Sequence, residues 1–405
     1  MVTTTAVAGF ANAHMQNLVL PSRPKVHPLE HSLAGRRLNL VIPLLREKAL
    51  FGGIATALRF FERLAGEFEQ ARMIVLNQSP ADFDFEPWRE WTLDVGNTAP
   101  RTIALLGNPE TSLSLCREDF FIATFWTTAI FNRHVLSRQN QMFPRLDRRF
   151  VYLIQDYEPA FYPWSVPHTY AKSTYSRGND VIAVFNTSLL AEFFRLQGWR
   201  FSEHHVFEPR LHPRLLEERL RQGRRDKKRL ILVYGRPSMP RNAFGAIVEG
   251  LRTWAETYPG ARDWVLVSAG EPHEDIVLAK NIVLRSLGKL TLDDYALQLS
   301  RCWVGVSLML SPHPSYPPLE MAEFGAWVIT NKFENKDLAH HAANIVSLGD
   351  IASDSIAARV AWCCDQFAPG KTAAIPGTPA VFAHQTDEFP FVSDLLRSWG
   401  ARGEG

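Results

Sequence analysis

The chain has 405 residues, too many for one ordinary hydrophobic core, and this length suits two domains of roughly 150–200 residues each. Hydrophobic residues make up 46% and charged residues 21%, which excludes the disordered, collagen-like and coiled-coil classes. Lys and Arg total 44 against 42 Asp and Glu, and a net charge of +2 excludes the strong positive field of a nucleic-acid-binding protein.

The cysteines and the lengths of the apolar runs indicate the cellular compartment in which the protein works. Cys116, Cys302, Cys363 and Cys364 show neither metal-ligand spacing nor a disulfide framework, which favours a reducing environment. No apolar run approaches the roughly 20 residues that span a bilayer, and the first residues lack the pattern of a secretory leader. We therefore expect a cytoplasmic protein.

A basic run from Arg221 to Arg229 is the densest cluster of like charge in the chain. It is compatible with peripheral association at the inner face of a membrane, or with an anionic lipid-linked acceptor. A solvated linker is the alternative, and it is the interpretation that we favour.

The first part of the chain alternates between apolar runs and helical patterns. Residues 1–36 carry prolines and histidines without periodicity and are predicted to form an N-terminal extension. We place the first domain at 37–208. Gly52 and Gly53 follow its first strand, where glycine lets the backbone approach a ligand closely, although a plain tight turn is the alternative. The predicted strands are 38–43, 72–76, 102–106, 120–126, 149–155 and 180–185.

A second series of strands and helices follows a polar, charged segment at 208–228, which we interpret as interdomain. The second domain is predicted at 209–385, and a C-terminal segment at 386–405 ends in an amphipathic stretch. The predicted strands of the second domain are 229–235, 264–270, 281–288, 303–310 and 326–331.

This order predicts an α/β protein with two Rossmann-like domains, each a parallel sheet covered on both faces. Such sheets bind ligands in crevices at the carboxyl ends of their strands, and two facing crevices would form an interdomain cleft. The loops at those strand ends are therefore the candidate site.

The loop 235–242, with sequence GRPSMPRN, follows the first strand of the second domain. Gly235 begins it, and Arg236 and Arg241 can direct two guanidinium groups toward one crevice. Guanidinium groups and the N–H groups of a helix N-terminus suit phosphate oxygens, so this loop predicts a diphosphate site. Two solvated loop arginines are the alternative.

A second loop, 311–325, leads into a helix that begins with two prolines. Glu320 would project from the first turn, where a carboxylate beside a phosphate site can accept hydrogen bonds from a ribose diol. Favouring the helix dipole is the alternative for Glu320, and it is our preferred reading of Glu323.

These loops, with LGKLTLDDYALQLSRCWVGVSL at 287–308 and PPLEMAEFGAWVIT at 317–330, resemble the nucleotide-binding domain of the large retaining GT-B glycosyltransferase family. Within that family the chain resembles the WsaF type of rhamnosyltransferase, which builds bacterial surface rhamnan. The likeness extends through IPLLREKALFGGIATAL at 42–58 and FVYLIQDYEPAFYPWS at 150–165, and so covers roughly residues 37–350.

The resemblance implies transfer of rhamnose or a similar deoxysugar from a dTDP-sugar to a hydroxyl of a glycan or lipid-linked glycan, with retention of configuration. It also implies a C-terminal helix that crosses back to dock on the first domain. Arg236 and Arg241 match the family's basic pair on the diphosphate, and Lys289 lies where the chain passes the base and phosphate. A solvated Lys289 is the alternative.

Glu320 matches the second glutamate of the family's E-x7-E motif, and the first would fall at Pro312, so the pattern is broken here. Ser311 and His313 are candidates to replace that contact with the donor sugar, and a histidine that only fills the loop is the alternative for His313. The donor-binding residues predicted in this way are Gly52, Gly53, Gly235, Arg236, Arg241, Lys289, Leu290, His313, Ser315, Tyr316, Pro318, Leu319 and Glu320.

The first domain offers candidates for the acceptor. Asp156, Tyr157 and Glu158 follow a strand and could bind acceptor hydroxyls, and Asp156, with Arg236 and Arg241, is predicted to be catalytic because it could assist a proton. A structural turn carboxylate is the alternative. Thr127 and Thr128 are more typical of a helix cap.

No D-x-D pair that could hold a bridging metal is visible, and Asp293 with Asp294 fits a helix start. We therefore expect no metal and no cofactor, with arginines neutralising the diphosphate. Other hypotheses are a transferase with another donor, a nucleotide-sugar epimerase, and a non-catalytic subunit of glycan assembly.

Overall fold

The structure is a computed structural model, and it describes residues 24–29, 35–45, 52–94, 99–108, 110–143, 148–222, 227–368, 382 and 387–400. The described residues fall into two compact units. The first holds those up to Phe185, with 194–207 and those from Phe389 onward; the second holds 186–193 and 208–388. Most of the predicted N-terminal extension, residues 1–36, lies outside the described residues.

The first unit is built on a sheet whose order is β10-β9-β8-β7-β2-β3-β5-β4 within the described residues, with a separate parallel pair, β1 and β6. Each pair from β9 to β4 is parallel. The strands are β1 Lys25–Pro28, β2 Arg37–Ile42, β3 Gln70–Val75, β4 Thr92–Leu93, β5 Arg101–Leu105, β6 Ser112–Leu115, β7 Asp119–Ala123, β8 Phe150–Ile154, β9 Val181–Asn186 and β10 Glu203–Phe207.

The central strands are buried along their whole length, because helices cover both faces of a parallel sheet. All six strands predicted for this domain are confirmed. The short strands β1, β4, β6 and β10 were not predicted, because their exposed or mixed residues lack a clear apolar run. The helices over this part of the chain are α1 Gly53–Ala65, α2 Trp126–Met142, α3 Val166–Ser173 and α4 Ser188–Leu196.

The second unit has a sheet of order β13-β14-β12-β11-β15-β16-β17 within the described residues. It is parallel except for β13, which pairs antiparallel with β14. The five predicted strands are confirmed, and β13 and β17 are additional. The strands are β11 Lys228–Gly235, β12 Val265–Gly270, β13 Ile276–Ala279, β14 Ile282–Gly288, β15 Cys302–Val306, β16 Trp327–Asn331 and β17 Ile345–Leu348.

Helices pack on both faces of this second sheet and complete two apolar clusters. Short 3-10 turns connect several elements, among them Pro240–Asn242 and Leu338–His340. The helices are α5 Pro213–Gln222, α6 Phe244–Thr257, α7 Leu292–Arg301, α8 Pro317–Glu323 and α9 Ser353–Asp365.

The basic run from Arg221 to Arg229 is a correction to the sequence analysis, because part of it is not a solvated linker. The polar segment ahead of it contains α5, whose Leu215 is buried in the core of the second unit. Lys227 is also buried, and its ammonium donates to the carbonyl oxygens of Leu299 and Phe324 at 3.0 and 2.6 Å. Leu216 and Leu220 of α5 are exposed, so only packing shows that Leu215 is the leucine that is buried.

The last helix, α10 Val392–Gly400, returns to the first unit. Its buried Val392, Leu395 and Trp399 join the apolar cluster of that unit. The indole N–H of Trp399 donates to the carbonyl of Arg149 at 2.8 Å, which fixes the end of the helix. The predicted crossing back of the C-terminal helix is therefore confirmed.

A buried charge cluster ties three strands of the first unit together. Arg37 binds both carboxylate oxygens of Asp119 at 2.6 and 2.9 Å, and Arg72 lies 3.8 Å from the same carboxylate. Arg72 also pairs with Asp94 at 2.9 Å. Burial alone would raise the pKa of Asp119, but Arg37 and Arg72 lower it to about 2.

Candidate functional site

The loop after β11 is shaped by two glycines at adjacent strand ends. A Cβ on Gly235 would lie 2.0 Å from Oγ of Ser268 and 2.9 Å from the ring of Phe244, so no side chain fits there. Gly270, at the end of β12, has a φ of 145°, which favours glycine. The N–H of Glu271 donates to the carbonyl of Gly235 at 2.8 Å. The two strand ends are therefore held side by side.

Arg236 begins this loop and forms an ion pair with Glu271. Its Nε donates to Oε1 of Glu271 at 3.1 Å, and the N–H of Ser238 donates to Oε2 at 3.0 Å. Burial acts to raise the pKa of Glu271, but the hydrogen bonds from Ser238 and Arg236 outweigh it and lower the pKa. The carboxylate is therefore ionised at neutral pH and holds both the arginine and the loop.

Arg241 lies at the other end of the loop, half-buried in the turn Pro240–Asn242. Its carbonyl accepts a hydrogen bond of 2.7 Å from the N–H of Leu310, in the segment that follows β15. The side chain of Asn242 donates to the carbonyl of Leu308 at 3.4 Å. The loop is thus anchored to two neighbouring strand ends, those of β12 and β15.

The segment before α8 is held by its own side chains. Nδ1 of His313 accepts a hydrogen bond from the N–H of Ser315 at 3.0 Å, and the His313 N–H donates to Oγ of Ser311 at 3.0 Å. Ser315 has a φ of 68°, an uncommon value for serine. His313 is buried, and its ring centre lies 6.1 Å from that of Tyr316. Pro312, at the position of the broken motif, is also buried.

Glu320 lies in the first turn of α8, half-buried, and accepts a hydrogen bond from the Tyr295 hydroxyl at 3.0 Å. Burial raises its pKa to about 7, although the Tyr295 hydrogen bond acts to lower it. Glu323 instead pairs with Arg219 of α5 at 3.0 Å with its own side chain 4% exposed, so it is structural.

Tyr234, the residue before Gly235, connects the two loops. Its pKa is raised first by burial; the charge of Arg236 lowers it and that of Glu320 raises it. Tyr234 lies on β11, which pairs in parallel with β15, the strand that precedes α8 and Glu320. The structure thus brings the Arg236 loop and Glu320 to the same edge of the second sheet, where a cation, a carboxylate and two phenols could meet an anionic ligand that also carries hydroxyls.

The remaining predicted donor-binding residues of the second unit also follow strands of its sheet, and they differ in how far their side chains are buried. Lys289 is exposed after β14, and Leu290 packs partly against the core. The side chains of Pro318 and Leu319 are buried. Sequence reasoning did not identify Glu271 or Tyr295, and the one available signal was that Glu271 directly follows a predicted strand.

In the first unit, Gly52 and Gly53 lie at the start of α1. Gly52 has φ 57° and ψ −122°, a conformation that glycine adopts readily. The carbonyl of Gly53 accepts a hydrogen bond of 2.9 Å from the side chain of Gln155, which follows β8. Asp156 is next along the chain, and its carboxylate accepts from the N–H of Tyr157 at 2.8 Å. These residues share the carboxyl edge of the first sheet.

Glu158 is a structural residue, which settles one alternative left open by the sequence. Its side chain is buried, and Oε2 accepts hydrogen bonds from the N–H of Trp126 at 2.6 Å and the Tyr152 hydroxyl at 2.9 Å. It therefore anchors the start of α2. Thr128 caps the same helix, because its hydroxyl accepts from the N–H groups of Thr124 and Phe125.

Metal-ligating side chains do not form clusters in the described ranges. No three His, Cys, Asp or Glu side chains there come together in a way that could hold a metal ion. Asp293 forms a two-point ion pair with Arg214, at 2.8 and 3.1 Å, and Asp294 receives the hydroxyl of Thr291 at 2.7 Å. Among the same residues, no helix combines the length and the apolar character needed to cross a membrane.

Known families match both halves of the chain. Residues 37–188 match the family described as WsaF, N-terminal domain, and residues 229–361 match WsaF, C-terminal domain. The chain is also 31% identical over 243 residues to the O-antigen biosynthesis protein RfbC of Myxococcus xanthus. That match covers 60% of this chain and 18% of the relative, so the chain spans less than a fifth of that protein.

Solved structures resemble the fold at low identity. The lipopolysaccharide biosynthesis glycosyltransferase WaaG is 11% identical with a TM-score of 0.51, over 89% of this chain and 99% of that one. A sucrose-phosphate synthase from Thermosynechococcus elongatus is 12% identical with a TM-score of 0.53, over 82% and 90%. A Rickettsia africae glycosyltransferase is 11% identical with a TM-score of 0.52, over 92% and 100%. The chain therefore belongs to the WsaF family and has the GT-B fold.

Proposed function

We propose that the chain is a glycosyltransferase of surface polysaccharide synthesis, and that its second unit binds the nucleotide-sugar donor. The observation that carries this proposal is that Arg236 and Glu320 follow the carboxyl ends of β11 and β15, which are adjacent parallel strands of one sheet. A cation for a diphosphate and an acceptor for a ribose diol thus occupy one edge of a parallel sheet, where such folds bind nucleotides. RfbC, named for O-antigen biosynthesis, and WaaG, named for lipopolysaccharide biosynthesis, support the pathway class.

The chemical step breaks the bond between the anomeric carbon and the diphosphate oxygen, and a glycan hydroxyl attacks that carbon. Negative charge grows on the departing diphosphate, so fixed cations placed against it lower the barrier. We assign this role to Arg236 and Arg241, at the two ends of the loop that is anchored to the ends of β12 and β15.

Glu320 is assigned to the nucleoside end of the donor. A carboxylate accepts hydrogen bonds from both hydroxyls of a diol, and the Tyr295 hydroxyl holds one of its oxygens in place. The resemblance to WsaF-type rhamnosyltransferases makes dTDP-rhamnose, or a similar deoxysugar donor, the first candidate, with retention of configuration. A dTDP donor would present a deoxyribose with only its 3′-hydroxyl free for this contact.

The acceptor is assigned to the first unit by itself, at the edge formed by Gly52, Gly53 and Asp156. Gly52 and Gly53 have no side chains, and the Gln155 hydrogen bond holds Gly53 next to the residue that precedes Asp156. Such an edge suits a glycan hydroxyl, and Asp156 can assist the transfer of its proton.

Ligand-dependent stabilisation tests the donor assignment. Full-length protein is melted with dTDP, UDP, GDP or ADP, and the true nucleotide at 100 times its dissociation constant should stabilise by about 2.7 kcal/mol. Transfer from dTDP-rhamnose to a glycan acceptor is then followed by product analysis. Lack of stabilisation by every nucleotide would contradict the proposal, and conversion of the donor without an acceptor would indicate an epimerase.

Metal independence is part of the same proposal, because Arg236 and Arg241 supply positive charge for the leaving group. Turnover in excess EDTA should equal turnover in buffer alone. Loss of turnover that Mg²⁺ or Mn²⁺ restores would show that a metal shares this role.

A further inference from the structure

Glu271 makes three connections between adjacent strand ends of the second unit. Its two carboxylate oxygens are divided between Nε of Arg236, at 3.1 Å, and the N–H of Ser238, at 3.0 Å. Its own N–H binds the carbonyl of Gly235 at 2.8 Å. One acidic residue at the end of β12 thus reaches the first, second and fourth residues of the loop after β11.

The ion pair between Glu271 and Arg236 uses Nε of the arginine, and this leaves the terminal nitrogens for another partner. A guanidinium group binds two phosphate oxygens through paired N–H groups, and the two terminal nitrogens carry four of its five donors. The contact with Nε fixes the plane of the group without using those nitrogens. The Arg236 side chain is 36% exposed, so without this contact it would sample many rotamers in solvent.

The Ser238 contact has a parallel effect on the backbone. The loop runs over exposed residues, among them Pro237 and Ser238, before the turn at Pro240–Asn242. A hydrogen bond to the Ser238 N–H restrains the middle of that stretch. The same carboxylate therefore orders both the side chain and the main chain that face the proposed ligand, which reduces the ordering that binding must supply.

A carboxylate close to a diphosphate also repels it, so Glu271 can act in one of two opposite directions. If repulsion dominates, neutralising the group should tighten anion binding. If ordering dominates, neutralising it should weaken binding. The two carboxylate oxygens hold Arg236 and the Ser238 N–H separately. Alanine at this position would remove both contacts, and glutamine would keep one acceptor oxygen. We therefore expect the ordering effect to dominate.

We propose that Glu271 is a positioning residue that holds Arg236 and the Ser238 loop ready for the diphosphate of the donor. This inference rests on the proposed function, because it takes the ligand of the loop to be a nucleoside diphosphate. Glu271 itself touches neither the reacting carbon nor the departing oxygen in this assignment.

The experiment compares calorimetric binding of dTDP and thymidine to full-length wild type, Glu271→Ala and Glu271→Gln. Glu271→Ala should bind dTDP on the order of tenfold more weakly, which corresponds to about 1.4 kcal/mol. Glu271→Gln keeps one acceptor oxygen and should lie between the two. Thymidine lacks the diphosphate, so its affinity should be the same for all three proteins, which a general loss of structure would not allow.

Glu274→Ala is the matched control, since this exposed glutamate lies three residues further on and carries the same charge. It should bind dTDP as wild type does. Unchanged or tighter dTDP binding by Glu271→Gln and Glu271→Ala would overturn the positioning role while leaving the proposed function intact. If wild type binds none of dTDP, UDP, GDP and ADP, the proposed function fails, and this inference fails with it.

Discussion

The Tyr295 hydroxyl donates a hydrogen bond to Oε2 of Glu320 across 3.0 Å, and it joins α7 to the first turn of α8. Burial and, after it, the neighbouring Glu320 carboxylate raise the pKa of the Tyr295 phenol well above its usual value. The phenol therefore remains a hydrogen-bond donor at all ordinary pH values. Glu320 is different, because burial places its pKa at about 7. A change of pH near 7 therefore alters this hydrogen bond by protonating or deprotonating Glu320, and not by ionising Tyr295.

Donor affinity should rise with pH through about 7 if Glu320 binds the donor's sugar hydroxyl as a carboxylate. The pKa in the folded protein is raised well above the usual range of a glutamate, so the group is largely neutral below 7 and accepts hydrogen bonds less well. The measurement is calorimetric binding of dTDP-rhamnose between pH 6 and pH 8. A nucleotide sugar is used because its diphosphate is esterified at both ends and has no group titrating in this window.

Two variants isolate that effect. Glu320→Gln should bind the donor more weakly at pH 8 and show no rise with pH. Tyr295→Phe removes the hydrogen bond that favours the ionised form, so the midpoint should move to higher pH. A rise with pH that persists unchanged in Glu320→Gln would assign the titration to another group.

Arg236→Ala and Arg241→Ala should each lower turnover at saturating donor. A hydrogen bond to a charged group contributes about 1.5–3 kcal/mol, so each loss should slow the reaction on the order of ten- to a hundredfold. Lysine should restore activity only in part, since it lacks the planar fork. If both groups bind one diphosphate, the double variant should be non-additive.

Arg285→Ala provides the control for the arginine series, since this exposed arginine lies on β14 of the same unit. It should turn over as wild type does. Melting curves must accompany each variant, and wild-type turnover in both folded single variants would refute the diphosphate assignment.

Trp399→Ala should destabilise the first unit by about 3–5 kcal/mol, because it empties a buried site between α10 and the sheet. The indole ring lies 5.2 Å from that of Phe120, edge to face. Arg397→Ala, on the exposed face of the same helix, should change stability little.

Urea unfolding measures the stability of both variants. By the same reasoning, a chain ending near Thr386 should be less stable than wild type. Equal stability of the two point variants would contradict this packing role.

Asp119→Ala should cost about 3–5 kcal/mol, because it leaves Arg37 and Arg72 buried without their shared carboxylate. The pKa of Asp119 is about 2 in the folded protein, below the ordinary aspartate value of 3.8. Its contribution to stability is therefore present above pH 3.8 and is lost as the pH falls toward 2. The exposed pair Lys25 and Glu110 is the control, since Glu110→Ala should have little effect. Comparable losses in both variants would contradict this account.

The sequence by itself determined the strand ladder, the order of the two Rossmann-like units and the positions of the loops. Buried parallel strands are short apolar runs, and a strand such as 229–235 can be recognised without any partner. The same local signals located Arg236 and Glu320 at strand ends. The solvated-linker interpretation of the basic run 221–229 was wrong for Lys227, because the sequence does not show that its ammonium is buried against the carbonyl oxygens of Leu299 and Phe324.

Tertiary structure decided which of those strand ends meet. β11 lies between β12 and β15, so Glu271 reaches Arg236 although 35 residues separate them. Tertiary structure also places the Tyr295 hydroxyl of α7 where it can donate a hydrogen bond to Glu320. It also turned Glu158 from a candidate acceptor contact into the anchor of α2. Hydrogen bonds and charge interactions act over a few ångströms in space, and the spacing of residues along the chain does not specify those distances.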